Sequence, residues 1–248
     1  MGNGPTPTWV GAGVCLVIGA AVGLTNAALI EWLGVPDLLS TLATFSIVQG
    51  AALIVRPSPG GEIDEGFVDL MTMKLGSLPL NFAIVLILHA AAEFLLVRGR
   101  LGGRIYAIGG SREAATAVGL PIRQVRAGAY VFCGVGAALA GLIVASRIGS
   151  GDPQAGSTFT LASITAVVVG GTSVFGGSGT AVGSLLGVLL IVLMQNALNQ
   201  LQVTAYWQYV WTGALTLAAV TIYTARSRES NRARSFRFGL RRCRGGRS

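Results

Sequence analysis

Charge is scarce in this chain. Only 11% of its 248 residues are Asp, Glu, Lys or Arg, against about 25% in an ordinary soluble domain. A water-bathed surface cannot be built from so few, and those present are segregated into short loops between long uncharged stretches. Histidine is scarcer still: His89 is the single one, and it lies in an apolar segment. No Ser/His/Asp or Cys/His arrangement is supported, so no nucleophilic catalysis is expected. The three cysteines, Cys15, Cys133 and Cys243, have neither paired nor metal-ligand spacing, which argues against a disulfide framework and against zinc. Phosphate cradles fail on inspection. Gly171 to Gly176 has the spacing of a P-loop, but Gly177 stands where lysine is required. Gly134-Val-Gly136 is followed by Leu139 where a dinucleotide fingerprint needs a third glycine. The chain is therefore expected to hydrolyse no ATP itself, to be no enzyme, and to hold no cofactor and no metal.

Apolar residues fill the remainder. A membrane-crossing helix needs about 20 mostly apolar residues. Trp9–Ile30, Leu38–Val55, Leu80–Val97, Ala127–Ser146, Ala181–Leu201 and Tyr206–Tyr223 approach or meet this, and Leu161–Val174 makes a shorter seventh segment. The expected fold is all-α: a polytopic bundle of about seven membrane segments. Residues 1–224 form the membrane domain, and 225–248 a basic, disordered cytoplasmic tail. Met1–Thr8 holds no basic residue, and no cleavage site follows, so no signal peptide is expected.

The net charge of +8 invites a nucleic-acid reading, but its distribution argues otherwise. Nine of the 18 basic residues lie in the tail from Arg226 to Arg247, and six more between Arg98 and Arg126. Basic residues gathered beside apolar segments mark cytoplasmic loops. With 98–126 inside, the tail is also inside and the N-terminus outside. The Arg56–Lys74 loop then falls outside, where its four acidic residues outnumber two basic ones. The Glu31–Asp37 loop falls inside although it is acidic, which counts against the scheme. A weak internal echo pairs Gly19–Leu24 with Gly136–Leu142, and Leu39–Thr44 with Leu161–Ala166. The two copies run in opposite directions, as inverted transporter repeats do.

The loop 98–126 carries the strongest local signals. Ser111 can cap a short helix, Glu113 suits the first turn, and Ala114, Ala115 and Ala117 favour helix. Gly119 can close it, and Pro121 cannot continue it. A two-turn helix with small exposed residues can fit a partner's groove; equally, the loop can be an ordinary basic anchor.

Glu113-Ala-Ala-Thr-Ala-Val-Gly119-Leu-Pro121 resembles the short cytoplasmic motif of binding-protein-dependent import permeases. Gly103–Gly110, Ile122–Arg126, Ala140–Arg147, Ile164–Ser173 and Gly176–Gly179 resemble the ribose/xylose-type sugar permeases of the ABC superfamily. The likeness covers roughly residues 9–224. It implies a permease subunit of the cytoplasmic membrane that passes a monosaccharide such as ribose or xylose. Its partners would be a cytoplasmic ATPase subunit, an extracytoplasmic sugar-binding protein and a second permease subunit, in a homodimer. It also implies that Glu113, Ala114, Ala115 and Gly119 couple to the ATPase, and that the 170–179 glycine turn is structural. Family members have more membrane helices than the seven segments here. A misplaced start, a degraded gene or a naturally shortened subunit is therefore expected.

Other features admit two readings each. Gln195, Asn196 and Asn199 share one helical face. They can line a path for an uncharged, hydroxyl-rich solute or hydrogen-bond between helices. Gly179, Gly183 and Gly187, like Gly19 and Gly23, recur every four residues, a spacing that lets helices approach closely. His89 and Glu93, four apart, can form a proton relay. That would make the chain an ion- or proton-coupled carrier. A non-transporting remnant is the other alternative. Asp152 reads as a local turn or a contact for a binding protein.

Overall fold

The computed structural model describes residues 8–221, except 62, 76, 77, 158, 174, 175, 205, 209, 212, 216, 219 and 220. The expected tail, 225–248, and Cys243 lie outside the described residues. The chain divides into two compact units, Met1–Thr158 and Phe159–Ser248.

The first unit holds α1 (Thr8–Glu31), α2 (Asp37–Val55), α3 (Glu65–Thr72), α4 (Leu80–Arg98), α5 (Arg100–Gly110), α6 (Arg112–Ala117) and α7 (Ile122–Ile148). Between α3 and α4, the strands β1 (Lys74–Leu75) and β2 (Leu78–Pro79) pair antiparallel, with Leu75 opposite Leu78. The second unit holds α8 (Phe159–Val169) and α9 (Ala181–Gln200), and the described residues between 206 and 221 are helical.

Among the described residues five helices are long and apolar enough to cross a membrane: α1, α2, α4, α7 and α9. The apolar segments anticipated from sequence become these helices. With 11 residues, α8 extends only about 16 Å, half the thickness of a bilayer's apolar core. The last anticipated segment along the chain, Tyr206–Tyr223, is described only in part. Few side chains of the long helices are buried within the chain, and Leu, Ile and Val point outward along α1, α2, α4 and α9. Such a surface suits lipid, where outward apolar residues carry no penalty.

Glycine sets the helix pairings. Gly19 of α1 faces the Gly134 carbonyl and Ala138 of α7, and Gly23 faces Tyr130 and Val131. A β-carbon at Gly19 would lie 2.6 Å from that carbonyl oxygen, closer than packing allows. As numbers rise along α1 they fall along α7, so the two helices cross antiparallel. In the second unit Gly183 and Gly187 of α9 meet Gly170 and Ala166 at the end of α8 in the same way. The Gly-x-x-x-Gly spacing therefore serves close packing within the chain. Asn26 of α1 ties in α2, accepting hydrogen bonds from the hydroxyls of Thr44 (2.8 Å) and Ser40 (3.5 Å).

The first unit has two distinct ends. At one, the Gly60 N–H donates to Gly151 O and the Gly151 N–H to Gly60 O, both at 3.1 Å. Gln49 Nε2 there donates to Pro153 O at 3.0 Å, and Trp9 meets Phe67 edge-on at 5.6 Å. Asp152 closes a turn by accepting from the Gln154 N–H at 2.8 Å. At the other end the α1–α2 connection meets α6 and the start of α7. The loops that charge parity places together are thus together.

Candidate functional site

The site is α6 and its surroundings. Ser111 has extended backbone (φ −158°), and its Oγ accepts a hydrogen bond from the Ala114 N–H at 3.2 Å. One otherwise orphaned donor of the first turn is thereby satisfied, and Glu113 occupies that turn. The far end closes in a Schellman arrangement. The Leu120 N–H donates to Ala115 O at 3.1 Å and the Gly119 N–H to Thr116 O at 3.0 Å. This needs a left-handed residue, supplied by Gly119 at φ +74°. Pro121 then serves as the N-terminal flank of α7. The short helix anticipated from Ser111, Gly119 and Pro121 is present with both caps.

Glu113, Ala114 and Gly119 are exposed, whereas Ala115 is buried and seats α6 on the rest of the unit. Val118, which sequence reasoning passed over, is 78% exposed at the C-terminal flank. The exposed face thus offers one carboxylate, small residues and an apolar tip.

Two neighbouring elements were not anticipated. Residues 100–110 form α5 although four of these 11 are glycine, a composition that opposes helix. Gly102 is buried tightly against the Leu96 carbonyl, so α5 folds back on the end of α4 with no room for a side chain. Likewise α7 starts at Ile122, where a loop up to Arg126 was expected. Its 27 residues span about 40 Å, beyond the roughly 30 Å of a bilayer core. The basic first turns can therefore project into water.

Charges converge here. Glu31, the last residue of α1, has a side chain only 3% exposed. Its Oε2 lies 3.3 Å from Arg112 Nη2 and its Oε1 2.6 Å from Arg126 Nη1. Oε1 has no partner in hydrogen-bond geometry, so the Arg126 contact is an ion pair off the hydrogen-bond axis. Arg126, 20% exposed, donates from Nη2 to Asp37 Oδ2 at 2.6 Å, at the start of α2. The acidic α1–α2 connection, which counted against an inside location, faces two of the loop's arginines. Like charges are not crowded there; opposite ones are paired.

The remaining candidates lie elsewhere. Gln195 is half-buried on α9, and Asn196 and Asn199 are exposed. Asn199 Oδ1 accepts from Gln208 Nε2 at 3.0 Å, which engages it within the chain. His89 and Glu93 are half-buried one turn apart on α4. Among the described residues of 170–179, Gly171, Gly176 and Gly177 are left-handed, and the Ser173 N–H donates to Ser178 O at 2.8 Å. Thr180 then caps α9 by accepting from the Gly183 N–H. Among the described residues no three His, Cys, Asp or Glu gather as a metal site.

Five membrane-length apolar helices and their glycine-packed pairs define a multi-pass membrane protein. More narrowly, the chain belongs to the family described as "Branched-chain amino acid transport system / permease component", whose profile matches residues 1–220. That description is of transport permease components. It is 34% identical over 210 residues to the D-allose transport system permease protein AlsC of Escherichia coli K12, covering 84% of this chain and 64% of that one. Identity to the ribose import permease protein RbsC of Haemophilus influenzae is 34% over 212 residues, 84% of this chain and 66% of the other. The galactose/methyl galactoside import permease protein MglC of Escherichia coli K12 is 36% identical over 217 residues, 84% and 64% of the two chains. The chain thus spans a little under two thirds of these relatives. No solved structure matches it.

Proposed function

We propose that the chain is the membrane-spanning permease subunit of an ATP-driven importer for a monosaccharide such as ribose or xylose. It would work with a cytoplasmic ATPase subunit, an extracytoplasmic sugar-binding protein and a second permease subunit. The observation that carries this reading is α6: a doubly capped helix of six residues presenting Glu113, Ala114 and Gly119 outward. A rigid knob with small side chains can enter a groove on an ATPase, with Ala115 fixing it to the bundle. The names of the relatives, permeases for allose, ribose and galactose, support a simple sugar as cargo.

In this reading the end bearing α6 is cytoplasmic, and the end joined by Gly60 and Gly151 faces outward with the N-terminus. ATP binding and hydrolysis on the partner displace α6, and the helices open the path alternately to the two sides. Gln195, Asn196 and Asn199 are the proposed contacts along that path, since amides match hydroxyls without requiring charge.

The test is purification from membranes of the native cells, followed by reconstitution. The chain should retain an ATPase subunit, and Ala114→Trp on the docking face should release it. Uptake of labelled ribose, xylose, allose or galactose should need ATP and the binding protein. Uptake driven by a proton gradient without an ATPase subunit would overturn the proposal.

A further inference from the structure

We propose that Glu31 is a positioning residue that carries displacement of α6 into the ends of α1 and α2. This rests on the reading of α6 as the coupling element. The argument starts from burial. A carboxylate at a helix end near water has no reason to leave it, and a buried charge must be paired. Glu31 is buried because two guanidinium groups enclose it: Arg112 from α6 and Arg126 from α7.

Arg126 in turn bridges to Asp37. The order of contact is therefore α6, Glu31 of α1, Arg126 of α7, Asp37 of α2. Neighbours along the chain already tether α6, since one residue separates it from α5 and four separate it from α7. Arg112 adds a link to α1 across 81 residues of sequence. A push on α6 thus reaches two long helices that its own loop does not adjoin. The Glu31–Arg126 contact is close but off the hydrogen-bond axis, so Arg126 can move relative to Glu31 while keeping its hydrogen bond to Asp37. The Arg112–Glu31 and Arg126–Asp37 links are charge-assisted hydrogen bonds and so depend on direction in a way that apolar packing does not.

Mere neutralisation of charge would produce the same map of contacts, so the experiment must read motion and coupling. The full chain, with its ATPase subunit and binding protein, is reconstituted in liposomes, and sugar accumulated per ATP hydrolysed is measured. Glu31→Gln keeps the shape of the side chain and removes its charge. Arg112→Gln cuts the α6 arm alone, at a side chain 61% exposed, where folding is least at stake. Both variants should still capture the ATPase subunit, while uptake per ATP falls by about fivefold or more. Arg112→Lys, which keeps the charge, should recover most of it. Uptake per ATP within about twofold of the parent in both glutamine variants, the size of an ordinary surface change, overturns the proposal.

A second measurement needs no partner. Spin labels at Ala117→Cys and at the exposed Leu33→Cys, with the native cysteines replaced by serine, report the spacing between α6 and the α1–α2 connection. The distance distribution should be narrow in the parent and broad in Glu31→Gln. Equal widths overturn the clamp, whereas failure of the parent chain to hold any ATPase subunit overturns only the permease reading.

Discussion

The two ends of the first unit are held by different physics. At the end carrying Gly60 and Gly151 the connections are joined backbone to backbone, with a turn fixed by Asp152 and an aromatic edge between Trp9 and Phe67. At the end carrying α6 the connections are joined by side-chain charge, through Glu31, Arg112, Arg126 and Asp37. A backbone bridge between glycines is short and insensitive to side-chain replacement. A charge cluster is long-armed, can rearrange without leaving hydrogen-bonding groups orphaned, and depends on every member. The contrast suits an element that must be displaced at one end while the other keeps its connections in register.

The largest test of this contrast removes what both ends share, the α1–α7 crossing. A β-carbon at Gly23 would lie 2.8 Å from Val131 Cα. Gly23→Leu therefore forces the helices apart, costing more than about 3 kcal/mol. Little folded protein should be recovered in detergent, and thermal unfolding should start lower at both ends together. Normal recovery would mean that the crossing is not the common frame.

Arg126→Gln acts at the charged end alone. It leaves Asp37 unpaired and the buried Glu31 with Arg112 as its one remaining cation among those placed here. A buried charge deprived of a partner costs about 2 kcal/mol. The matched substitution at the other end is Arg56→Gln, where the guanidinium donates to the Gly60 carbonyl in an exposed loop. That change should cost under about 1 kcal/mol, because water replaces the lost donor and the Gly60–Gly151 bridge remains. Comparing the two unfolding midpoints checks the contrast directly; equal losses would erase it.

How much of this was legible in the sequence follows from the range of the interactions. Everything local was readable: Ser111, Gly119 and Pro121 mark the bounds of α6 because caps act within a few residues, and uncharged runs mark the long helices. The Gly-x-x-x-Gly spacings indicated close packing but not which helix would be met. α5 was missed because four glycines argue against a helix, and the reason it forms, the fold-back of Gly102 onto α4, lies in tertiary contact. The first turn of α7 was read as loop because its arginines look like those of any basic connection. Glu31 and Asp37 are the most instructive case. Taken alone, an acidic connection argues against the cytoplasmic side; Arg112 and Arg126, far along the chain, answer that objection, and no local pattern announces them. The roles of Glu113, Ala114, Ala115 and Gly119 toward an ATPase, and of Gln195, Asn196 and Asn199 toward a sugar, depend on partners and remain proposals.

The smallest effect gives the finest test of whether the two ends act independently. Ser111 caps a helix of only six residues, so its hydroxyl satisfies a large share of the donors that α6 leaves open. Ser111→Ala removes that acceptor at a cost of about 1 kcal/mol. Because α6 is short and its surface largely exposed, the loss should appear as local opening. Hydrogen exchange of the Ala114 and Ala115 amides should speed up by about fivefold. The amides of Gly60 and Gly151, bonded to each other's carbonyls at the opposite end, should exchange at the parental rate. If they accelerate as well, α6 is part of the cooperative frame, and its displacement could not leave the far end undisturbed. If they do not, α6 opens alone, and what binds it to α1 and α2 is the charge cluster at Glu31.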